Sequence, residues 1–110
     1  MLWKKRWFVL SEFVLYYHKS PEDSPSGSIP LPSYKISPVG KDDKGTGKKW
    51  AFKAEHKNMR TYYFAAETKD NMIQWMNAMS LASIGEQEQD FSDFSSKRSS
   101  QGELRLPTSR

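Results

Sequence analysis

Short runs of apolar residues, rich in aromatic and β-branched types, recur along this chain between polar segments. The first lies within Trp3 to Leu10 and the second within Leu15 to Lys19. In the first, a strand would place Trp7 and Val9 on one face and Phe8 and Leu10 on the other, so both faces would be apolar. Three further strands are predicted, at Tyr34 to Val39, where apolar and polar residues alternate, and at Trp50 to Glu55 and Thr61 to Ala66.

One later segment has the period of a helix instead. Thr68 can act as its N-cap, and Gly85 stands where a left-handed residue ends many helices. Apolar residues recur at intervals of three and four in between, and this stripe should face the sheet. Its members are Met72, Trp75, Met76, Met79 and Ala82. We therefore predict a helix from Thr68 to Ile84 that packs on the strands as part of the core.

The last part of the chain has a different composition. Residues 85–110 are rich in Ser, Gln, Glu and Asp and offer few apolar residues. Such a segment buries too little apolar surface to offset the entropy of ordering it. We therefore predict one small domain at residues 1–84, followed by a disordered polar tail at 85–110.

Charge is distributed unevenly between these two parts. Residues 1–84 hold 13 Lys and Arg against 8 Asp and Glu, whereas residues 85–110 hold 4 against 5. A basic domain favours anionic partners, namely nucleic acid, phosphoinositides or acidic membrane surfaces. Cysteine is absent, which excludes a disulfide framework, and no apolar run approaches the roughly 20 residues of a membrane span.

The densest positive charge stands at Lys4, Lys5 and Arg6, directly before the apolar part of the first strand. A phosphorylated headgroup requires clustered ammonium and guanidinium donors. Residues two apart on a strand share a face, so Lys4 and Arg6 can line one pocket while Lys5 points to the other side, toward a nearby membrane surface. The alternative is that all three are simply a solvated strand end.

Several motifs together resemble the pleckstrin homology (PH) domain. They are Trp3 to Leu10 with Leu15-Tyr16-Tyr17, then Gly27 to Tyr34, Ala51 to Ala54, Met59 to Phe64, and Trp75. The resemblance is closest to the phosphoinositide 3-phosphate-binding PEPP group of the pleckstrin homology domain-containing family A. It implies a mainly β fold, a bent sandwich or barrel with one C-terminal helix that plugs one end.

The same resemblance implies roles for individual residues. Arg6 should hold the 3-phosphate, Lys4 an adjacent phosphate, and Tyr17 should donate its hydroxyl, while Lys5 and Lys19 would face the membrane surface. A Lys that ends the first strand of such domains has no counterpart here, because the chain begins where that strand should have passed. The resemblance therefore implies an amino-terminally truncated domain in which the edge of Trp3 to Leu10 is unpaired.

Three classes of function remain to be compared. An enzyme is disfavoured because His18 and His56 are isolated and no paired carboxylates or phosphate loop stand in a motif; we expect no catalytic residue, metal or cofactor. Single-stranded RNA binding is an alternative for a basic, aromatic barrel, as is a peptide-binding adaptor. We expect phosphoinositide headgroups as partners, nucleic acid less so, with further protein partners through the missing regions. The expected role is a membrane-targeting adaptor, cytoplasmic and peripheral at the cytosolic face of membranes.

Overall fold

The computed structural model describes residues 2–39, 47–85 and 100–108 of the 110-residue chain. These residues form seven strands and one helix. In chain order they are β1 (Leu2–Ser11), β2 (Val14–His18), β3 (Pro25–Pro30), β4 (Lys35–Pro38), β5 (Ala51–His56), β6 (Met59–Ala65), α1 (Lys69–Ile84) and β7 (Ser100–Thr108).

All seven described strands belong to one antiparallel sheet with the order β3-β2-β1-β7-β6-β5-β4. A buried cluster lies between this sheet and the helix, and Phe8, Phe52 and Phe64 are its largest fully buried side chains. Phe64 meets Phe8 edge-on at 5.8 Å and stacks on Phe52 at 5.1 Å between ring centroids. The mainly β fold with one C-terminal helix is therefore confirmed.

The first two predicted strands form and pair as a hairpin. Phe8 lies opposite Tyr17 and Leu10 opposite Leu15, and all four side chains belong to the core or pack against it. The turn between the strands includes Glu12 at φ 56, a left-handed conformation. Because the register is continuous from Trp7 to Ser11, alternate residues of β1 keep the same face along the strand.

The helix begins and ends as the sequence predicts. The Thr68 hydroxyl accepts a hydrogen bond from the Asn71 backbone N at 3.1 Å, and Gly85 adopts φ 83 at the C-cap. The predicted stripe faces the core, with Trp75, Met79 and Ala82 buried and Met72 and Met76 packed beside them. The backbone N of Ser33 donates to the Ser83 carbonyl at 3.0 Å, which ties the helix end to the bend after β3.

The predicted disordered tail is wrong for Ser100–Thr108, which form β7. Leu104 is only 1% exposed and is part of the core, with Leu106 packed against it. The composition of residues 85–110 obscured a short alternation in which Gly102, Leu104 and Leu106 share the inner face. Residues 86–99 and 109–110 of that tail lie outside the described residues, and the domain division at residue 84 stays a prediction.

The expectation of an unpaired edge on β1 is also wrong. β7 pairs antiparallel with β1 over nine positions, from Leu2 opposite Thr108 to Leu10 opposite Ser100. Unpaired N–H and C=O groups on a strand edge form a template for another strand, and β7 occupies that edge here. β7 also reaches β6 through the pair Ala65 and Arg105.

Candidate functional site

The first half of β1 carries the cations that the sequence singled out. By alternation Lys4 and Arg6 share the face of buried Phe8, at the point where the apolar core gives way to charge. Lys4 is exposed and Arg6 is half-buried. Lys5 is exposed and, by the same alternation, lies on the opposite face. The two cations therefore stand on one face of the sheet, beside the edge of the core.

Arg6 is held by its own strand. Its Nη1 donates a hydrogen bond to the Lys5 carbonyl oxygen at 2.9 Å. A guanidinium carries five N–H donors, so this single bond leaves others for an anion. Partial burial also reduces the screening by water of any ion pair that the group forms. Arg6 is therefore half-buried and retains N–H donors beyond its bond to Lys5.

Tyr17 lies on the same face but points elsewhere. It is opposite Phe8 in the register, and the two ring centroids are 5.8 Å apart. Its hydroxyl lies directly over Gly27 of β3, where a Cβ would collide with the ring. Strands β1 and β3 flank β2, so two strand spacings of about 4.8 Å separate them. The Tyr17 hydroxyl is therefore directed toward β3, away from the strand that carries Arg6.

Lys19 follows β2 directly and is exposed, at the start of a closed turn. His18 Nδ1 bonds to the Asp23 carbonyl oxygen at 2.9 Å; a carbonyl can only accept, so Nδ1 carries the hydrogen. Ser20 Oγ donates to the carboxylates of Asp23 at 2.9 Å and Glu22 at 3.2 Å. The turn that follows Lys19 therefore places the carboxylates of Glu22 and Asp23 near this cation.

Strand β7 supplies a wall that the sequence did not predict. Leu106 stands opposite Lys4 and Leu104 opposite Arg6, so the neighbours of both cations on this side are apolar. On the outer face Arg105 stands opposite Lys5, and its Nη2 bonds to Glu67 Oε2 at 2.9 Å. β7 thus borders the cationic face with leucines and leaves its own cation on the outer side.

A second group of aromatic and basic residues surrounds Tyr34. Its ring lies 5.0 Å from that of His56 and 6.2 Å from that of Tyr62, and the Arg60 guanidinium stands 4.5 Å from the Tyr62 ring. Burial, reinforced by Tyr62 and opposed by Arg60, raises the pKa of the Tyr34 hydroxyl. Arg60 was not among the residues that the sequence predicted for a site. Strand β5 carries His56 of this group, and β6 carries Arg60 and Tyr62.

Metal ligands and membrane-spanning helices are two further features to compare with the part of the chain that the structure describes. No three His, Asp or Glu side chains there approach one another closely enough to hold a metal ion. Among the same residues no helix has the length and apolar character needed to cross a bilayer.

The sheet, the capping helix and the basic start of β1 define a class of protein. Residues 2–83 match the family model of the PH domain, and the chain belongs to that family. Members of this family are commonly adaptors that bind lipid or protein.

Particular relatives place the chain near one branch. It is 56% identical over 84 residues to pleckstrin homology domain-containing family A member 7 of Danio rerio, and 49% identical over 84 residues to member 5 of Homo sapiens. Each alignment covers 76% of this chain and 7% of the relative, so the chain spans a small part of those proteins.

A solved structure agrees with this placement. The solution structure of the PH domain of human family A member 5 matches with a TM-score of 0.66 at 49% identity, and the match covers 76% of this chain and 65% of that one. The similarity to family A that the sequence indicated is therefore confirmed.

Proposed function

We propose that this chain is a non-enzymatic module that binds phosphoinositide headgroups and so brings its protein to the cytosolic face of a membrane. The observation that carries the proposal is the placement of Lys4 and Arg6 on one face of β1, beside the buried core. Binding is the whole mechanism, and no bond is made or broken.

The proposal gives each of the predicted residues a role. Arg6 grips one phosphate with the guanidinium donors that its bond to Lys5 leaves over, and Lys4 contributes a second positive charge. Tyr17 donates its hydroxyl after turning away from Gly27. Lys5 and Lys19, both exposed, add attraction to the anionic bilayer surface, worth roughly 1 kcal/mol for each Lys near a membrane.

Recognition of single-stranded RNA is the alternative that the same charge allows. Base stacking needs exposed aromatic faces, so Phe8, Phe64 and Trp75, which are buried in the core, are unavailable for it. Trp7 and Tyr16 are only half-buried, so RNA stays an alternative that the experiment must test. The lipid is proposed because a headgroup requires clustered cations, and Lys4 and Arg6 stand on one face.

The test compares two variants with the same change in charge. Arg6→Glu removes charge-assisted hydrogen bonds of about 1.5–3 kcal/mol and adds repulsion, so capture by phosphoinositide liposomes should fall at least tenfold. Lys69→Glu changes an exposed residue in the first turn of α1, where an acid suits the helix dipole, and should reduce capture much less.

Liposomes with mono-, bis- and tris-phosphorylated inositol lipids are compared with single-stranded RNA over a salt series. Affinity for nucleic acid falls steeply with salt because counterions are released. Equal losses in the two variants would refute the pocket assignment. Tight, steeply salt-dependent RNA binding without lipid preference would favour the alternative.

A further inference from the structure

Strand β7 fills a groove between β1 and β6, and its two sides are unequal. Nine register pairs join it to β1, whereas a single pair, Ala65 with Arg105, joins it to β6. Most of the strand pairing of β7 is therefore with β1. The main-chain hydrogen bonds of an added strand do not depend on which molecule supplies it, so a segment of the same pattern from another chain can take the place of β7.

The side chains of β7 fix its register with few anchors. Leu104 is fully buried, and Gly102 lies under Trp75, whose ring atoms stand 3.7 and 3.8 Å from an ideal Cβ at that position. On the outer face Lys5 and Arg105 stand opposite each other, an arrangement of like charges that weakens strand pairs. The groove thus selects a small residue and a leucine two positions later.

The covalent connection to β7 does not decide which molecule's groove the strand enters. Fourteen residues, 86–99, separate Gly85 from Ser100. Fourteen residues span at most roughly 46–50 Å. The longest dimension of the molecule is 40 Å. The connection is therefore long enough to reach the groove of an adjacent copy.

We propose that the groove between β1 and β6 is a strand-acceptor site that binds β7 of a second copy of this chain in the same antiparallel register. Each copy of the exchanged dimer would then receive from its partner the two leucines that border Lys4 and Arg6. The occupant is a second copy because every copy carries the one segment that the structure shows to fit. The proposal does not depend on phosphoinositide binding.

The protein concentration decides whether β7 binds the groove of its own chain or that of a second copy. A strand that a short connection joins to its own groove meets it at an effective concentration on the order of millimolar. Exchange should therefore be rare at micromolar protein and rise as the protein approaches millimolar concentration, or when chains refold together. Light scattering of the unmodified chain should show a dimer fraction at least tenfold larger at 1 mM than at 10 µM.

The chain contains no cysteine, so one engineered pair can report the register. Val9 stands opposite Gln101. Antiparallel partners lie about 4.5–5.5 Å apart at Cα, a distance that suits a disulfide. Chains with Val9→Cys are mixed with affinity-tagged chains with Gln101→Cys, refolded together at millimolar concentration and oxidised. A disulfide-linked heterodimer that disappears on reduction is expected.

Two controls decide the outcome. Replacing the first chain by Ser26→Cys, an exposed position on β3, matches the number of thiols without a register partner on β7 and should give only collisional cross-linking. The double variant Val9→Cys/Gln101→Cys at micromolar concentration should close within one chain. If it closes but the mixed chains give no more dimer than the Ser26→Cys control, the exchange is refuted. If it does not close, the register is wrong and the proposal fails with it.

Discussion

Strands β2 and β7 flank the same strand, β1, and differ in almost every other respect. β2 follows β1 after a short turn and contributes Leu15 and Tyr17 opposite Leu10 and Phe8. β7 comes from the far end of the chain and contributes one fully buried side chain, Leu104. Both pair antiparallel, but β2 pairs only with Trp7 to Ser11, whereas β7 also runs beside the cationic half of β1.

The difference shows what each kind of pairing requires. A hairpin strand is close in sequence, so little loop-closure entropy opposes it, and its own side chains build the core. A distant strand needs only an open edge, a matching alternation and one anchor. The domain therefore contains a strand that its sequence specifies strongly and another that its sheet accepts.

The largest effect should come from placing a charge at the one fully buried side chain of β2 and of β7. Leu15→Asp and Leu104→Asp both place a carboxylate at a fully buried site, where even truncation of leucine costs about 2–5 kcal/mol. Leu15→Asp should unfold the domain, since small domains have only about 5–15 kcal/mol to lose. Leu104→Asp should release β7 alone.

Hydrogen exchange separates these two results. In Leu104→Asp the amides of β7 should exchange as in an unstructured peptide, while those shared by β1 and β2 stay protected. The exposed Gln101→Asp on the same strand is the control and should change little. Equal loss of protection in β2 and β7 would show that the two strands form one cooperative unit.

The sequence predicted most of this fold, for a physical reason. Helix α1 has a long three-four hydrophobic period, and the β1 hairpin, β5 and β6 each carry clustered aromatic and other apolar residues typical of strands. β7 has neither feature, because Gly102 to Leu106 alternates over only five residues without an aromatic or β-branched side chain. Its strand conformation depends on the free edge of β1, which lies nearly a hundred residues away in sequence.

The candidate site divides in the same way. Period two was sufficient to place Lys4 and Arg6 on one face. The direction of the Tyr17 hydroxyl depends on the missing Cβ of Gly27 on a third strand, and the apolar border depends on β7. Neither can be read from the residues around the cations. The assignment of all three residues to a headgroup stays a proposal.

The next effect in size contrasts two glycines. Gly27 on β3 faces Tyr17 of β2, and Gly102 on β7 faces Trp75 of the helix. Gly27→Ala would push its Cβ into the Tyr17 ring and should lower the free energy of unfolding by about 1–3 kcal/mol. Gly102→Ala meets only ordinary contact with Trp75 at 3.7 Å, so it should be neutral or raise stability by about 0.4–1 kcal/mol. Denaturant unfolding measures both. The reverse order would mean that β7 packs more tightly than β2.

A smaller effect concerns binding and rests on the proposed function. Leu106→Lys adds a cation beside Lys4 on the face of Arg6, so liposome capture should rise about fivefold, the equivalent of roughly 1 kcal/mol. Gln101→Lys adds the same charge on the outer face at the other end of β7 and should have less effect. If both raise capture equally, β7 contributes only general attraction and does not border a pocket.

The smallest effect should come from the ion pair between Arg105 of β7 and Glu67, which follows β6. Glu67→Gln removes the carboxylate from Arg105 and leaves that guanidinium opposite Lys5. Exposed pairs contribute about 0.2–1 kcal/mol and are screened by salt. The amides of β7 should therefore exchange up to about fivefold faster in Glu67→Gln at low salt, and the difference should vanish at 1 M salt.

Glu55→Gln is the control. It breaks a comparable pair with Lys53, 3.5 Å long and confined to β5, and should leave the exchange of β7 unchanged. Because β6 holds β7 by one register pair, faster exchange confined to β7 would identify that side as the one from which the strand detaches. Unchanged exchange of β7 in Glu67→Gln would instead show that pairing with β1 alone determines how firmly the strand is held.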